Sequence, residues 1–318
     1  MRVLFVLGSG GHTARGLILS RQLQAEKYFM VPWESEVTKQ KVKSNYYSVV
    51  SPRFRAKDSR ILSVFRTLFL FIHSLLILLV VRPDVLISTG SGLTLPPFLM
   101  ARLFGIKTVF IESPSRVYRP SIAGRLLMGK TDLWLSSWPE LAERYPCVDY
   151  RGMIIESPVL KSVDNEQTVS LFVTVGTSLP HDELIRTIDN LVGSGKVKGT
   201  VVAQIGGGEY IPRHIDFFRF SPSLDTYYSS AEVILSSCGA GTIMENVVSG
   251  RRLVVIQNPD ITGGHEWELV AMMEKNKHLI WCRSLDDLTE CLERARTDSF
   301  LRFVPERLDI NEVLAQVH

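Results

Sequence analysis

Two successive series of short apolar runs, separated by helical segments, constrain the fold of this chain more than any other feature. Such continuous apolar runs are typical of parallel strands that are buried on both faces and joined by helices. The sequence therefore predicts an α/β protein with two Rossmann-like parallel-sheet domains. The runs are 2–7, 28–32, 46–50, 84–89, 107–112 and 133–137 in the first half, and 170–176, 200–206, 232–237, 252–257 and 278–282 in the second.

A polar stretch separates the two series. Residues 156–168 contain a proline and show no hydrophobic period, which is typical of a linker between domains. We therefore predict one domain over 1–160 and a second over 161–318, since 318 residues are enough for two hydrophobic cores. Ligands of such sheets bind at the carboxyl ends of the strands. We expect the two domains to face a cleft that holds both substrates.

The two halves carry opposite net charge. Residues 1–156 contain 21 Lys and Arg against 11 Asp and Glu, whereas residues 157–318 contain 15 against 22. A basic half indicates contact with a polyanion, either an anionic membrane surface or nucleic acid. The alternative is that charged side chains simply solvate each half. The four cysteines lack metal-ligand spacing and indicate a reducing compartment.

Residues 61–81 form the longest apolar segment, with 16 apolar residues in 21. The segment is long enough to span a bilayer. However, the runs at 46–50 and 84–89 are predicted strands of one sheet, and a single span would leave them on opposite sides. We therefore predict an interfacial or re-entrant helix that docks on the membrane surface, with a helix buried between domains as the alternative. Cations that favour an anionic leaflet precede it, namely Arg53, Arg55, Lys57 and Arg60.

A glycine-rich turn, GSGGHT at 8–13, follows the first predicted strand. A dinucleotide-binding loop would need glycine or alanine at position 13, where Thr13 stands. Glycines at such a turn let a diphosphate or sugar approach the backbone closely, and the amides of the following helix favour anions. His12 would then bind phosphate or accept a proton. A helix cap with an incidental histidine is the alternative.

Two turns in the second half outline a nucleotide-diphosphate site. Gly239, Ala240, Gly241 and Thr242 can offer backbone amides to phosphate oxygens, and Glu245 can accept hydrogen bonds from ribose hydroxyls. The other turn contributes Gly176, Thr177 and Ser178. The chain contains no Asp-x-Asp motif, so we expect neither a metal ion nor another cofactor at the diphosphate.

Taken together, these stretches resemble a known family. The first half resembles the membrane-recruiting subunit of the eukaryotic two-subunit N-acetylglucosaminyltransferase that adds the second sugar to dolichol-diphosphate-GlcNAc, and the second half resembles its catalytic subunit. The arrangement is also similar to the bacterial peptidoglycan GlcNAc transferase. The matching stretches are 8–13, 31–37, 82–92, 110–127 and 136–146, followed by 173–178, 236–246 and 263–270.

This resemblance implies a GT-B fold and an inverting, metal-independent hexosyltransferase. The expected reaction moves GlcNAc from UDP-GlcNAc, with a β-1,4 linkage, to a polyprenyl- or dolichyl-diphosphate-linked sugar. That step belongs to lipid-linked oligosaccharide assembly for N-glycosylation, at the cytoplasmic face of the membrane and without a nucleic-acid partner. The alternatives are an exopolysaccharide glycosyltransferase that uses another UDP-sugar on an undecaprenyl-diphosphate-linked acceptor, and a non-catalytic scaffold.

The resemblance also implies roles for individual residues. For the donor, it places the diphosphate at Gly239–Thr242 and Thr177, the ribose near Glu245, and the sugar at His265, Glu266 and Glu268. For the acceptor it implies Gly10, Gly11, Ser91, Arg116 and Arg119. We expect Glu112 to be the base, because partial burial raises a carboxyl pKa, with His12 positioning the acceptor; His12 is the alternative base. The sequence departs from the family pattern at Arg15, Ser237 and Glu266, where the family has glutamate, histidine and glutamine.

Overall fold

The computed structural model describes residues 1–42, 45–52, 59–155, 169–175, 180–237, 239–259 and 266–317, apart from the side chains of Val37 and Arg60. It divides into two compact units, Met1–Glu156 with Glu306–His318, and Ser157–Pro305. Each unit contains one sheet in which every neighbouring pair of strands is parallel. The predicted α/β class with two parallel-sheet domains is therefore confirmed.

The sheet of the first unit has the strand order β3-β2-β1-β4-β5-β6-β7. The chain thus fills one side of β1 first and the other side later, so the direction of winding reverses between β1 and β4. The strands are β1 (Arg2–Val6), β2 (Glu26–Pro32), β3 (Tyr46–Val49), β4 (Val85–Ser88), β5 (Lys107–Ile111), β6 (Leu133–Ser136) and β7 (Asp149–Tyr150). The helices between them are α1 (Gly11–Gln22), α2 (Glu36–Val42), α3 (Arg60–Val81), α4 (Leu95–Leu103), α5 (Ile122–Leu127) and α6 (Pro139–Arg144).

The sheet of the second unit repeats this order as β10-β9-β8-β11-β12-β13, and its winding reverses between β8 and β11. The strands are β8 (Val169–Thr174), β9 (Val201–Gln204), β10 (Asp216–Phe218), β11 (Ala231–Ser237), β12 (Leu253–Ile256) and β13 (Ile280–Cys282). The helices are α7 (Asp182–Gly193), α8 (Asp225–Ser230), α9 (Ala240–Val248), α10 (Glu266–Lys275) and α11 (Leu288–Thr297). The apolar runs predicted the central strands, but not the short edge strands β7 and β10.

The helix α3 has two apolar faces with different surroundings. Leu70, Ile77 and Val81 are buried in a cluster that also contains Leu4 and Leu86 from the sheet. The opposite face is exposed although it is apolar, and it includes Val64, Phe65, Leu68, Ile72, Leu76, Leu79 and Val80. By length and composition α3 could cross a membrane. Because one face is packed on the sheet, the helix lies along the surface of its own unit.

The C-terminal segment corrects the predicted domain boundary. Residues 306–318 were predicted to belong to the second domain, but they pack on the first unit. The helix α12 (Ile310–Ala315) buries Ile310 and Leu314 in the same cluster as Phe5 and Leu19. Its amphipathic pattern was too short to indicate which core it would join. The predicted linker at 156–168 lies outside the described residues.

Candidate functional site

The loops that follow β1 and β4 meet through a histidine. Gly10, whose φ of 58° favours glycine, precedes α1, and His12 lies in the first turn of that helix. Its Nδ1 atom is 2.7 Å from the carbonyl oxygen of Thr89, and the Thr89 hydroxyl donates to the carbonyl oxygen of His12 at 2.9 Å. These contacts lie where the winding of the sheet reverses, which is the usual ligand site of such sheets.

The Nδ1 atom of His12 has two polar neighbours that call for opposite tautomers. A carbonyl oxygen can only accept, so a hydrogen bond to Thr89 needs Nδ1–H, whereas a guanidinium can only donate, so a hydrogen bond from Arg15 needs Nδ1 without a proton. The contact with the Thr89 oxygen is the shorter one, 2.7 Å against 3.1 Å, which favours Nδ1–H and leaves the acceptor lone pair of the neutral ring on Nε2.

Arg15 packs beside this histidine. Its Nη2 atom is 3.1 Å from Nδ1 of His12 and 3.4 Å from the Thr89 oxygen. Burial lowers the pKa of Arg15 to about 10, while the negative charge of Glu112 opposes that shift. The departure from the family pattern at position 15 therefore places a buried cation near the predicted base.

Glu112 is 1% exposed, so the expected partial burial is wrong. Its carboxylate accepts hydrogen bonds from the backbone N–H groups of Ser113 at 2.9 Å and Ser121 at 2.8 Å. Burial raises the pKa of Glu112, and these hydrogen bonds and Arg116 oppose the rise. A Cβ added at Gly124 would lie 2.5 Å from Oε2, so only glycine permits this enclosure. In this conformation the carboxylate holds the 113–121 loop and does not face solvent.

The remaining predicted acceptor residues have different surroundings. Ser91 was predicted to contact the acceptor, but it is buried, and its carbonyl oxygen accepts from the Thr94 hydroxyl at 2.7 Å in the turn before α4. Gly11 and Arg119 are exposed, and Arg116 is half-buried. Both arginines belong to the loop that Glu112 holds. The acceptor contacts of the glycines, the arginines and Ser91 therefore stay predictions, and Ser91 also belongs to the turn before α4.

In the second unit, a histidine also joins two loops where the winding reverses. His181, immediately before α7, is 5% exposed, and its Nδ1 atom is 3.0 Å from the hydroxyl oxygen of Ser237 at the end of β11. Ser237 departs from the family's histidine. The imidazole of His181 thus reaches Ser237 from the residue before α7, a contact that no local sequence pattern indicates.

The predicted phosphate-binding turn begins α9. Gly239 precedes the helix, Ala240 begins it, and Gly241 is exposed. The exposed Glu245 lies one turn further on, and its charge acts on Tyr228 and Arg251. Burial is the main cause that raises the pKa of Tyr228 and lowers that of Arg251. The backbone amides thus lie at the start of α9, whereas the carboxylate of Glu245 and the guanidinium of Arg251, which donates to Oδ1 of Asn246 at 3.3 Å, lie further along the helix.

Some predicted donor residues lie outside the described residues, namely Gly176, Thr177, Ser178 and His265. Glu266 and Glu268 occupy the first turn of α10, where the helix dipole favours carboxylates, and both are half-buried. Their predicted contact with the donor sugar stays a prediction. Among the described residues, no group of three or more His, Cys, Asp or Glu could hold a metal ion.

A third glycine-rich loop, Gly206–Gly208, follows β9 and is not among the predicted sites. Arg219 donates from Nη1 to the carbonyl oxygens of Gly206 at 3.1 Å and Gly208 at 2.8 Å. Asp182 accepts from the backbone N–H of Glu209 at 2.9 Å. Because β9 is parallel to β8 and pairs with it, this loop lies at the carboxyl ends of the strands, as the predicted donor site does. Three consecutive glycines after an apolar strand were the signal that could have identified it.

Two family models match the chain. Residues 3–154 match the family described as oligosaccharide biosynthesis protein Alg14 like. Residues 170–290 match the glycosyltransferase family 28 C-terminal domain. The first match covers the sheet of the first unit, and the second match covers the sheet of the second unit. Neither match includes the segment between β7 and β8 or the residues after 290.

Relatives are found for both halves. The rat (Rattus norvegicus) UDP-N-acetylglucosamine transferase subunit ALG14 is 30% identical over 178 residues, which cover 48% of this chain and 82% of that protein. The human UDP-N-acetylglucosamine transferase subunit ALG13 is 30% identical over 123 residues, which cover 35% of this chain but 11% of that protein. A UDP-N-acetylglucosamine–N-acetylmuramyl-(pentapeptide) pyrophosphoryl-undecaprenol N-acetylglucosamine transferase from Christiangramia forsetii is 26% identical over 234 residues, which cover 67% of this chain and 62% of that protein.

The fold is also found among solved structures. MurG from Acinetobacter baumannii has a TM-score of 0.68 at 16% identity, covering 99% of this chain and 98% of that one. This similarity confirms the GT-B fold class, and the relatives confirm the family inferred from the motifs. The chain therefore belongs to the Alg14 family and joins, in one polypeptide, an Alg14-like first half to a glycosyltransferase family 28 C-terminal domain.

Proposed function

We propose that this protein transfers GlcNAc from UDP-GlcNAc to a polyprenyl- or dolichyl-diphosphate-linked sugar, with inversion at the anomeric carbon. The observation that carries the proposal is the union of the two family matches in one chain. In relatives, these parts are named as UDP-N-acetylglucosamine transferase subunits. A relative that spans both parts is named as a transferase to a pyrophosphoryl-undecaprenol acceptor.

His12 is the base in this proposal. The acceptor hydroxyl oxygen attacks the anomeric carbon, the bond from that carbon to the UDP oxygen breaks, and UDP leaves with the bonding electrons. The hydroxyl proton passes to Nε2 of His12, whose Nδ1–H is held by Thr89. Glu112 is the less suitable base because its carboxylate is enclosed by backbone N–H groups.

Glu112 instead organises the acceptor side. By accepting from Ser113 and Ser121, it holds both ends of the loop that carries Arg116 and Arg119. Guanidinium groups bind phosphate oxygens in two-pronged hydrogen bonds. In the proposal these arginines take the lipid diphosphate, and the glycines before His12 leave room for it.

The second unit takes the donor. Backbone amides at Gly239–Thr242 and the N-terminus of α9 favour an anionic diphosphate, and the carboxylate of Glu245 accepts from ribose hydroxyls. No step in this scheme requires a metal ion, because amides and helix dipoles carry the compensating charge. That metal independence remains a proposal.

The exposed face of α3 docks on the membrane in this proposal. A lipid-linked acceptor has its reactive sugar at the membrane surface, and α3 offers a broad apolar face on the acceptor-binding unit. The buried face of the helix is part of the unit's core. A spanning orientation would therefore expose Leu70 and Ile77, whereas an in-plane orientation leaves the core intact. The basic first half favours an anionic leaflet on the cytoplasmic side.

The test is a transfer assay with purified protein, short-chain polyprenyl-diphosphate-GlcNAc and a panel of UDP-sugars, read by mass spectrometry. The expected product is heavier than the acceptor by one N-acetylhexosamine residue, and it forms with UDP-GlcNAc in the presence of a chelator. Failure to extend the acceptor with any UDP-sugar would refute glycosyl transfer. Loss of product on adding the chelator would refute metal independence.

The same panel tests the second candidate, an exopolysaccharide transferase with another UDP-sugar. The observation that favours it is Glu266, a carboxylate at the position where the family has glutamine. A carboxylate accepts hydrogen bonds from sugar hydroxyls but repels an acidic donor sugar. Preference for UDP-glucose or UDP-galactose over UDP-GlcNAc would support this candidate. Glu266→Gln should then shift the preference toward UDP-GlcNAc.

A further inference from the structure

His181 and Ser237 form a buried polar contact that has no part in the proposed transfer reaction. The imidazole is 5% exposed, and its Nδ1 atom lies 3.0 Å from the Ser237 hydroxyl oxygen. Burying an imidazole and a hydroxyl costs free energy unless they are hydrogen-bonded. An apolar pair of similar volume would fill this space without that cost. The polar contact therefore has a role beyond filling space.

A third loop is attached to the same place. Asn258, two residues after β12 and almost completely buried, donates from Nδ2 to the carbonyl oxygen of Pro180 at 3.0 Å. Pro180 directly precedes His181. Side chains from the end of β11 and from the loop after β12 thus hold Pro180 and His181, the two residues immediately before α7.

The position of this contact indicates a ligand-related role. It lies at the carboxyl ends of β8 and β11, between which the strand order reverses. The first unit has the corresponding contact, from His12 Nδ1 to Thr89 between β1 and β4. Ser237 is two residues before Gly239, where the amides that favour a diphosphate begin. A change in the His181–Ser237 contact therefore changes the position of that turn.

We propose that His181 is a positioning residue for the nucleotide diphosphate. Through Ser237 it fixes the turn at Gly239–Thr242 relative to the start of α7, so that the backbone amides of that turn keep the position in which they face the diphosphate. The inference rests on the proposed function, because it takes the second unit as the nucleotide-binding unit. His181 acts by holding the backbone and needs no contact with the donor.

The test is a calorimetric titration of UDP into the full chain and its variants, together with donor kinetics. His181→Phe and Ser237→Ala should each raise the Kd for UDP about tenfold, since each removes one buried hydrogen bond. The double variant should be no weaker than the weaker single variant, because both substitutions break the same contact. His181→Asn, which keeps a polar atom near the position of Nδ1, should restore the Kd to within about threefold. In kinetics, KM for the donor should rise while kcat at saturation stays unchanged.

His278 offers a matched control. It is 9% exposed, and its Nδ1 atom lies 2.7 Å from the carbonyl oxygen of Leu301. It lies at the amino end of the edge strand β13, whereas His181 lies at the carboxyl ends of the central strands β8 and β11. His278→Asn and His278→Phe should lower thermal stability and leave the Kd for UDP unchanged. Equal weakening of UDP binding by the His278 variants would reduce His181 to a general stability role and overturn the proposal.

The outcomes also separate this inference from the proposed function. If the wild type binds UDP and folded Ser237→Ala binds it equally well, the inference fails and the transferase proposal stands. If the acceptor is never extended but UDP binds and His181→Phe weakens it, the inference stands and the transferase proposal fails. A wild-type chain that does not bind UDP overturns both.

Discussion

The backbone N–H of Ser121 donates to Oε2 of Glu112 at 2.8 Å, nine residues along the chain. This hydrogen bond closes the loop that carries Arg116 and Arg119 on a carboxylate that is almost completely buried. Because the carboxylate is both buried and titratable, the acceptor side of the protein should respond to pH.

Glu112→Gln should change how stability depends on pH. Burial raises the pKa of Glu112, so the folded state holds the proton more tightly than the unfolded chain, whose carboxyl pKa is about 4.3. The stabilisation by this proton is fully present below the unfolded pKa and is lost as pH rises through the folded pKa. As pH rises from about 4.3 through the folded-state pKa, the free energy of unfolding of the wild type should therefore fall relative to that of Glu112→Gln.

The measurement is the urea unfolding midpoint of both proteins across this pH range. The exposed Glu143 in α6 of the same unit provides the control substitution, Glu143→Gln. A wild-type minus Glu112→Gln difference that stays constant with pH would show that Glu112 has no raised pKa.

His12→Gln should lower kcat by roughly 10²–10⁴-fold, the usual contribution of a general base. The KM for the donor should change little, because His12 belongs to the other unit. Glu112→Gln should keep most of kcat, since its role in the proposal is to hold the loop. The measurement is steady-state kinetics with saturating UDP-GlcNAc. Full loss of turnover in a folded Glu112→Gln protein, together with an active His12→Gln protein, would restore Glu112 as the base.

Phe65→Glu and Ile72→Glu should each weaken binding to anionic lipid vesicles by about tenfold, since burying one large apolar side chain contributes about 1.5–3 kcal/mol. Both side chains are on the exposed face of α3, so the fold should tolerate the substitutions. Val304→Glu adds a charge at an exposed apolar site of the second unit and should leave binding unchanged. The measurement is vesicle co-sedimentation, and equal binding by all variants would argue against docking through α3.

Ile310→Ala should destabilise the first unit by about 2–5 kcal/mol, the usual cost of such a cavity in a core. Ile310 is fully buried in the same cluster as Phe5 and Leu19. Hydrogen exchange should therefore speed up in β1 and α1 while the second unit keeps its protection. Leu292→Ala, in the core of the second unit, should give the reverse pattern. Faster exchange in the second unit of the Ile310 variant would contradict the assignment of this segment.

The sequence was sufficient for the central strands because continuous apolar runs such as 2–7 and 84–89 are buried on both faces whatever their neighbours. It could not show that α12 joins the first core, since six residues with a few apolar positions fit many surfaces. The edge strand β10 was missed because only one of its sides pairs, so its side chains are more exposed.

For the site, the glycine patterns located the turns but not the contacts between them. His12 was identified because three glycines closely precede it. His181 was missed because its partner Ser237 is 56 residues away, and no local pattern joins them. The burial of Glu112 likewise depends on Ser121 and Gly124, which are brought to it only when the 113–121 loop closes.

The packing of residues 306–317 has a consequence for biosynthesis. The ribosome makes the first unit's seven strands early, yet part of the core beneath them is supplied by the last segment of the described chain. Until Leu308 and Ile310 emerge, the nascent first unit leaves apolar surface around β1 and α1 uncovered. Its folding therefore finishes after the second unit has been translated, although translation of a chain usually lets N-terminal domains fold first.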